Sequence, residues 1–127
     1  MRMTNVLKIL IFKILDVYMG IDVSLIYEMT VPALVVDKSI ELTYIDTLIP
    51  FRKNIVKYNN PMALIINDEY KKNGIIIDMP LDIIELNIKS VKPLPFLIER
   101  CVHNAIWGTF IKGDDIVLLL DIFRFET

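Results

Sequence analysis

Residues 62–66 read Met62-Ala63-Leu64-Ile65-Ile66, residues 74–78 read Gly74-Ile75-Ile76-Ile77-Asp78, and the polar stretch Asn67-Asp68-Glu69-Tyr70-Lys71-Lys72-Asn73 lies between them. Each aliphatic run is too short for a helix and rich in β-branched residues, and the join ends in a glycine. The reading is a β-hairpin. The same grammar extends in both directions. Strands are predicted at Val6 to Ile14, Val17 to Ile21, Leu25 to Val31, Ile40 to Ile45, Met62 to Ile66, Gly74 to Ile77, Ile83 to Leu86, Ala105 to Ile111 and Ile116 to Phe123. Short strands recurring with turns between them favour a barrel or sandwich over alternating helices and strands.

The punctuation is equally informative. Lys112-Gly113-Asp114-Asp115 is a second hairpin tip, whose glycine can take positive φ. Asn59-Asn60-Pro61 divides the chain near its middle, and Lys92-Pro93-Leu94-Pro95 makes an extended segment that no helix could contain. A short helix is expected over Phe96 to His103, which follows a proline and lacks strand alternation. At 127 residues the chain is one domain, built from two small β units of similar length.

Composition narrows the function. The chain is 54% apolar with a mean hydropathy of +0.51, so apolar surface left over for a partner is a natural expectation. Fourteen Lys and Arg against 16 Asp and Glu give a net charge of -2. The cations are scattered and build no basic stripe of the kind a nucleic acid requires. A single cysteine, Cys101, permits no internal disulfide and suits a reducing, cytoplasmic setting. The apolar N-terminal run is interrupted by Lys8 and Lys13, so neither export nor membrane spanning is expected.

The search for chemistry returns little. Cys101 and His103 share a face if extended, but the base, orienting group or further ligands that a nucleophilic or zinc site needs are not evident. A buried thiol beside an ordinary histidine is the simpler reading. Asp78, Asp82, Glu85 and the Asp114-Asp115 pair fit solvated charges that end strands better than a carboxylate dyad. Four glycines supply no phosphate loop. The aromatics, including Tyr27, Tyr44 and Trp107, lack basic interleaving and are expected mostly in the core. Neither an enzyme nor a cofactor is expected.

Read in order, the strands and their boundaries resemble the CheW family, the adaptor domain of bacterial chemotaxis that also forms the regulatory domain of the CheA kinase. Ile9 to Ile14 followed by Tyr18-Met19-Gly20-Ile21-Asp22-Val23 is similar to the family's first hairpin, with its Tyr-Gly-Ile-Asp closing element. Leu25-Ile26-Tyr27-Glu28-Met29 and Leu42 to Leu48 resemble the next strands. Asn73 to Asp78, Asp82 to Leu86, Val91 to Pro95, Ile106-Trp107-Gly108 and Ile116 to Ile122 follow the remaining elements. No single element is specific; the ordered set, covering about residues 6 to 125, is. The departure is Pro32 to Ser39, shorter than the family's segment, where Lys38-Ser39 stands at the position of a partner-binding Arg-Gly. Lysine lacks the planar donor fork of arginine.

The resemblance implies an all-β, CheW-like fold of two small five-stranded β-barrels packed together with a groove between them. The first barrel is expected mainly over about 15–60 and the second mainly over about 61–112. It implies a non-enzymatic scaffold coupling the cytoplasmic tip of a chemoreceptor to the regulatory domain of a CheA-type histidine kinase, with no cofactor, nucleic acid or direct membrane insertion. The partner-binding positions carried over are Ile26, Tyr27, Glu28, Lys38, Met62 and Gly74. Two alternatives stand beside it: a diverged interaction module in another two-component or motility complex, and a small β-barrel enzyme or nucleic-acid binder.

Overall fold

The structure, a computed structural model, describes residues 5–35, 39–49, 56–67, 72–93 and 105–122. Lys38, Cys101, His103, the helix expected over 96–103 and the hairpin tip at 68–71 lie outside them. Among the described residues nine strands form: β1 Val6–Ile14, β2 Val17–Asp22, β3 Ile26–Thr30, β4 Glu41–Tyr44, β5 Pro61–Asn67, β6 Lys72–Asp78, β7 Pro80–Asn87, β8 Ile106–Lys112 and β9 Asp115–Leu120. All nine expected strands are present. A departure in type is Ile45–Leu48, a single helical turn, α1, where the apolar pattern reads on as strand. Prolines open β5 and β7, the strand position that a missing N–H permits.

The strands make two mixed sheets, ordered β7-β1-β2-β9-β8 and β3-β5-β6-β4. Neighbours are antiparallel except for β2 with β9 and β4 with β6. The chain starts in the five-stranded sheet, crosses to the four-stranded one after β2, and returns after β6. The boundary expected near residue 60 therefore falls inside one sheet, between β4 and β5. Both expected hairpins form. Asn67 pairs with Lys72 across the first, and Lys112 with Asp115 across the second. Gly113 takes a φ of 64° at the first central position of that two-residue tip, as a II′ turn requires.

Three cores account for the unbroken aliphatic runs. Leu10, Phe12 and Ile14 of β1 share one buried cluster with Met19 and Ile21 of β2, Leu64 and Ile66 of β5 and Ile75 and Ile77 of β6. That cluster joins the two sheets. The alternate residues Ile9 and Ile11 turn the other way, to meet Leu86, Phe110, Val117 and Leu119 inside the five-stranded sheet. Ala63, Ile65 and Ile76 likewise form a third cluster on the far face of the four-stranded sheet. Because successive side chains point to opposite faces, a strand covered on both sides has no polar alternation to show.

The five-stranded sheet curls back on itself. Lys92, just beyond β7, exchanges two backbone hydrogen bonds with Thr109 of β8: its N–H donates at 2.8 Å and its carbonyl accepts at 2.9 Å. Lys112 and Asp82 bridge the same two edges at 3.7 Å. Gly108 permits the approach, since a Cβ there would lie 2.7 Å from Val91 Cγ1.

The crossing from β6 to β7 carries a buried charge. Asp78, 4% exposed, accepts from the backbone N–H of Asn59 at 3.1 Å and of Asn60 at 2.7 Å. Asp78 is thus no solvated strand end. Its carboxylate clasps the segment leading into β5 against the end of β6, because two aligned N–H groups replace the water it loses. Asp82, Glu85, Asp114 and Asp115 are exposed, as expected. Among the aromatics Phe12 and Phe110 are core, whereas Tyr27, Tyr44 and Trp107 are exposed.

Candidate partner-binding site

Of the six candidate positions, Ile26, Tyr27 and Glu28 lie on β3 at one edge of the four-stranded sheet, Met62 on the adjacent β5 and Gly74 on β6 beyond it, while Lys38 lies outside the described residues. The local sequence sets the edge strand's entry. Asp22 ends β2 and its carboxylate accepts from the N–H of Ser24 at 2.9 Å and from its hydroxyl at 2.8 Å, capping the 3₁₀ turn Val23–Leu25 that swings the chain across. β3 follows and, among the described residues, pairs on one side only, with β5.

The pairing register decides which side chains face together. Ile26 stands opposite Ile66, but Glu28 stands opposite Ile65, so the register slips by one residue at Tyr27. Tyr27 is the bulged residue. A bulge leaves its residue outside the ladder and aims the side chain away from the sheet, and Tyr27 is 61% exposed. Lys72 Nζ sits over its ring, 4.2 Å from the centroid, so the tyrosine's face carries a cation.

The register also splits the candidates into two groups. Ile26 and Met62 belong to the face that packs toward the joint core between the sheets, and both are partly buried there. Glu28, Ile65 and Gly74 occupy one rung across three strands, on the opposite face. Gly74 is itself buried. A Cβ there would meet Leu42 Cδ2 at 2.2 Å, so the glycine is what lets β4 and its Leu42 close over β6.

Sequence reading missed a set of apolar neighbours. Met29 stands opposite Leu64, on the same face as Ile26, and is exposed; Val31 and Leu34 continue the exposure, Leu34 to 67%. An apolar edge strand preceding a Pro-Ala-Leu turn was their only signal, and it is indistinguishable from a buried strand until pairing is known. The result is an edge with a presented tyrosine, a flexible methionine and aliphatic anchors beside a carboxylate, a composition that suits protein contact.

A second polar group lies at the other edge. Tyr58 donates its hydroxyl to Asp46, whose own N–H reaches the same oxygen at 3.3 Å. Burial and then that bond push the Tyr58 hydroxyl well above the ordinary tyrosine range. Tyr44 stands edge-on to Tyr58 with ring centroids 4.8 Å apart. The group pins α1 to the segment before β5. Among the described residues no three His, Cys, Asp or Glu side chains group as a metal site would require, and no helix is long and apolar enough to cross a membrane.

Two interleaved sheets joined through a shared core define the CheW-like all-β fold of two subdomains. The chain is similar to the scaffolding protein TtCheW from Thermoanaerobacter tengcongensis, with a TM-score of 0.71 at 18% identity, covering 95% of this chain and 93% of that one. No protein-family model and no curated protein sequence matches the chain.

Proposed function

We propose that this chain is a non-enzymatic scaffold that couples chemoreceptors to a CheA-type histidine kinase in bacterial chemotaxis signalling, acting in the cytoplasm. The observation that supports it is the likeness in fold to TtCheW, itself a scaffolding protein, over 95% of this chain. The β3 edge gives the reading a surface. Ile26 and Met62, facing the joint between the sheets, anchor a receptor tip, and Tyr27 and Glu28 contact it from the exposed edge. Lys38 serves the kinase or receptor as a point charge in place of a guanidinium fork. Gly74 acts indirectly, by holding β4 close to β6.

The test is calorimetric titration of the whole chain against an isolated kinase regulatory domain and against a receptor tip fragment. Both are expected to bind. Glu28→Lys and Lys38→Glu are expected to keep the folded spectrum and weaken binding to at least one partner by about tenfold, the scale of a lost charged contact. Unchanged affinity for both partners removes the site; no binding to either removes the coupling role.

A second reading is favoured by the short segment before Lys38: a diverged interaction module serving another two-component or motility complex. Binding of a histidine kinase domain without any binding of a receptor tip is the result that distinguishes it.

A further inference from the structure

Tyr27 and Lys72 make a contact that spans a whole strand. Tyr27 belongs to β3 and Lys72 to β6, and β5 lies between them. Neighbouring strands stand about 4.8 Å apart, so the two backbones are separated by roughly 10 Å. Lys72 Nζ nevertheless lies 4.2 Å from the centroid of the Tyr27 ring. Both side chains therefore lean toward each other across the end of β5, where Asn67 pairs with Lys72.

The strand ladder does not hold the ring in that place. The register slip makes Tyr27 the bulged residue, and it is 61% exposed. A side chain presented in this way exchanges rotamers unless something restrains it, and ordering it on binding costs affinity. The ammonium supplies the restraint, through its attraction to the negative face of the ring. Lys72 is itself half-buried, so its stem is held against the sheet. Carboxylates stand nearby: Glu28 follows Tyr27 on β3, and Glu41 is opposite Asn73, the next residue of β6. Among the described residues neither forms an ion pair with Lys72. The ammonium is committed to the ring.

We infer that Lys72 is a positioning residue of the β3 edge, which holds the Tyr27 ring in one orientation for the partner protein that docks there. It acts through Tyr27 and not by touching the partner. The inference rests on the coupling role proposed above and adds to it a residue two strands away from the edge.

The experiment is calorimetric titration of the whole chain against an isolated kinase regulatory domain and a receptor tip fragment, paired with NMR of the free chain. Lys72→Met keeps the aliphatic stem and removes the charge. It is expected to weaken the partner that contacts Tyr27 about threefold, the scale of one exposed cation–π contact. Lys72→Arg should restore the affinity, since a guanidinium also stacks on an aromatic face. The same loss is expected in the Tyr27→Phe chain, which keeps the ring, and none in the Tyr27→Leu chain, which removes it. In the free chain the Lys72 ε-methylene protons should show an upfield ring-current shift, kept by Tyr27→Phe and abolished by Tyr27→Leu. Affinity unchanged by Lys72→Met overturns the inference, as does a loss that Lys72→Arg does not restore. An equal loss in the Tyr27→Leu chain also overturns it, by making Lys72 a direct partner contact. Absence of the ring-current shift overturns it with no partner present. A chain that shows the shift and binds neither partner refutes the coupling role, and the inference falls with it.

Discussion

Replacing Asp78 by alanine tests the claim that a buried carboxylate holds the crossing between the sheets. The wild-type oxygens each accept one backbone N–H, from Asn59 and Asn60, with the residue 4% exposed. A hydrogen bond to a charged acceptor contributes about 1.5–3 kcal/mol. Asn59 and Asn60 lie at the surface, so their freed N–H groups recover part of that from water. The net cost expected for Asp78→Ala is about 2–4 kcal/mol. For a chain of this length each kcal/mol moves the unfolding midpoint by roughly 3–4 °C, so the melting temperature should fall by about 10 °C. Asp78→Asn is the discriminating companion: it keeps the volume and one acceptor but turns an NH2 group toward the other N–H donor. It should regain less than about half of the alanine loss. Urea unfolding followed by circular dichroism measures both. A loss below about 0.5 kcal/mol for Asp78→Ala, the range of an ordinary surface substitution, refutes the clasp.

Three further outcomes follow from the geometry. Tyr58→Phe removes the donor to Asp46 and should cost about 1–2 kcal/mol near neutral pH. Since the folded state raises the Tyr58 pKa, it holds that proton more tightly than the unfolded chain. This contribution is fully present below about pH 10 and is lost as the pH climbs above it, a decline that Tyr58→Phe should lack in urea titrations. Leu15, at a φ of 54° in the two-residue β1–β2 tip, bears a Cβ where the left-handed region disfavours one. Leu15→Asn should therefore raise stability by roughly 0.5–1 kcal/mol, and Leu15→Val should lower it. Gly108→Ala sets a methyl group against Val91 and the carbonyl of Lys92 and should cost about 1–3 kcal/mol. Adding Val91→Ala should restore part of the loss, and thermal melts of the single and double variants decide it.

The strands were legible because short aliphatic runs closed by Asn, Asp, Gly and Pro leave few other local conformations open. Positions 112–115 fixed a tip by the same logic, since only glycine enters the left-handed region without cost. The ordered set of strands also carried the fold class, which the two sheets and the likeness to TtCheW bear out. Of the candidate site, the sequence could mark Tyr27 and Glu28 as members of one strand, but not which face each presents.

That face depends on a one-residue slip against β5, and register is a property of two strands at once. Asp78 shows the same limit: a turn-forming residue by its type, it became a buried clasp only because residues 59 and 60 lie against the end of β6. The interleaving of the two sheets was likewise hidden, since the parallel pairings of β2 with β9 and β4 with β6 join segments that local sequence cannot connect. Local propensity determined which residues extend and where they turn. Long-range pairing, which depends on contacts between distant segments, decided which of them face a core, an edge or solvent.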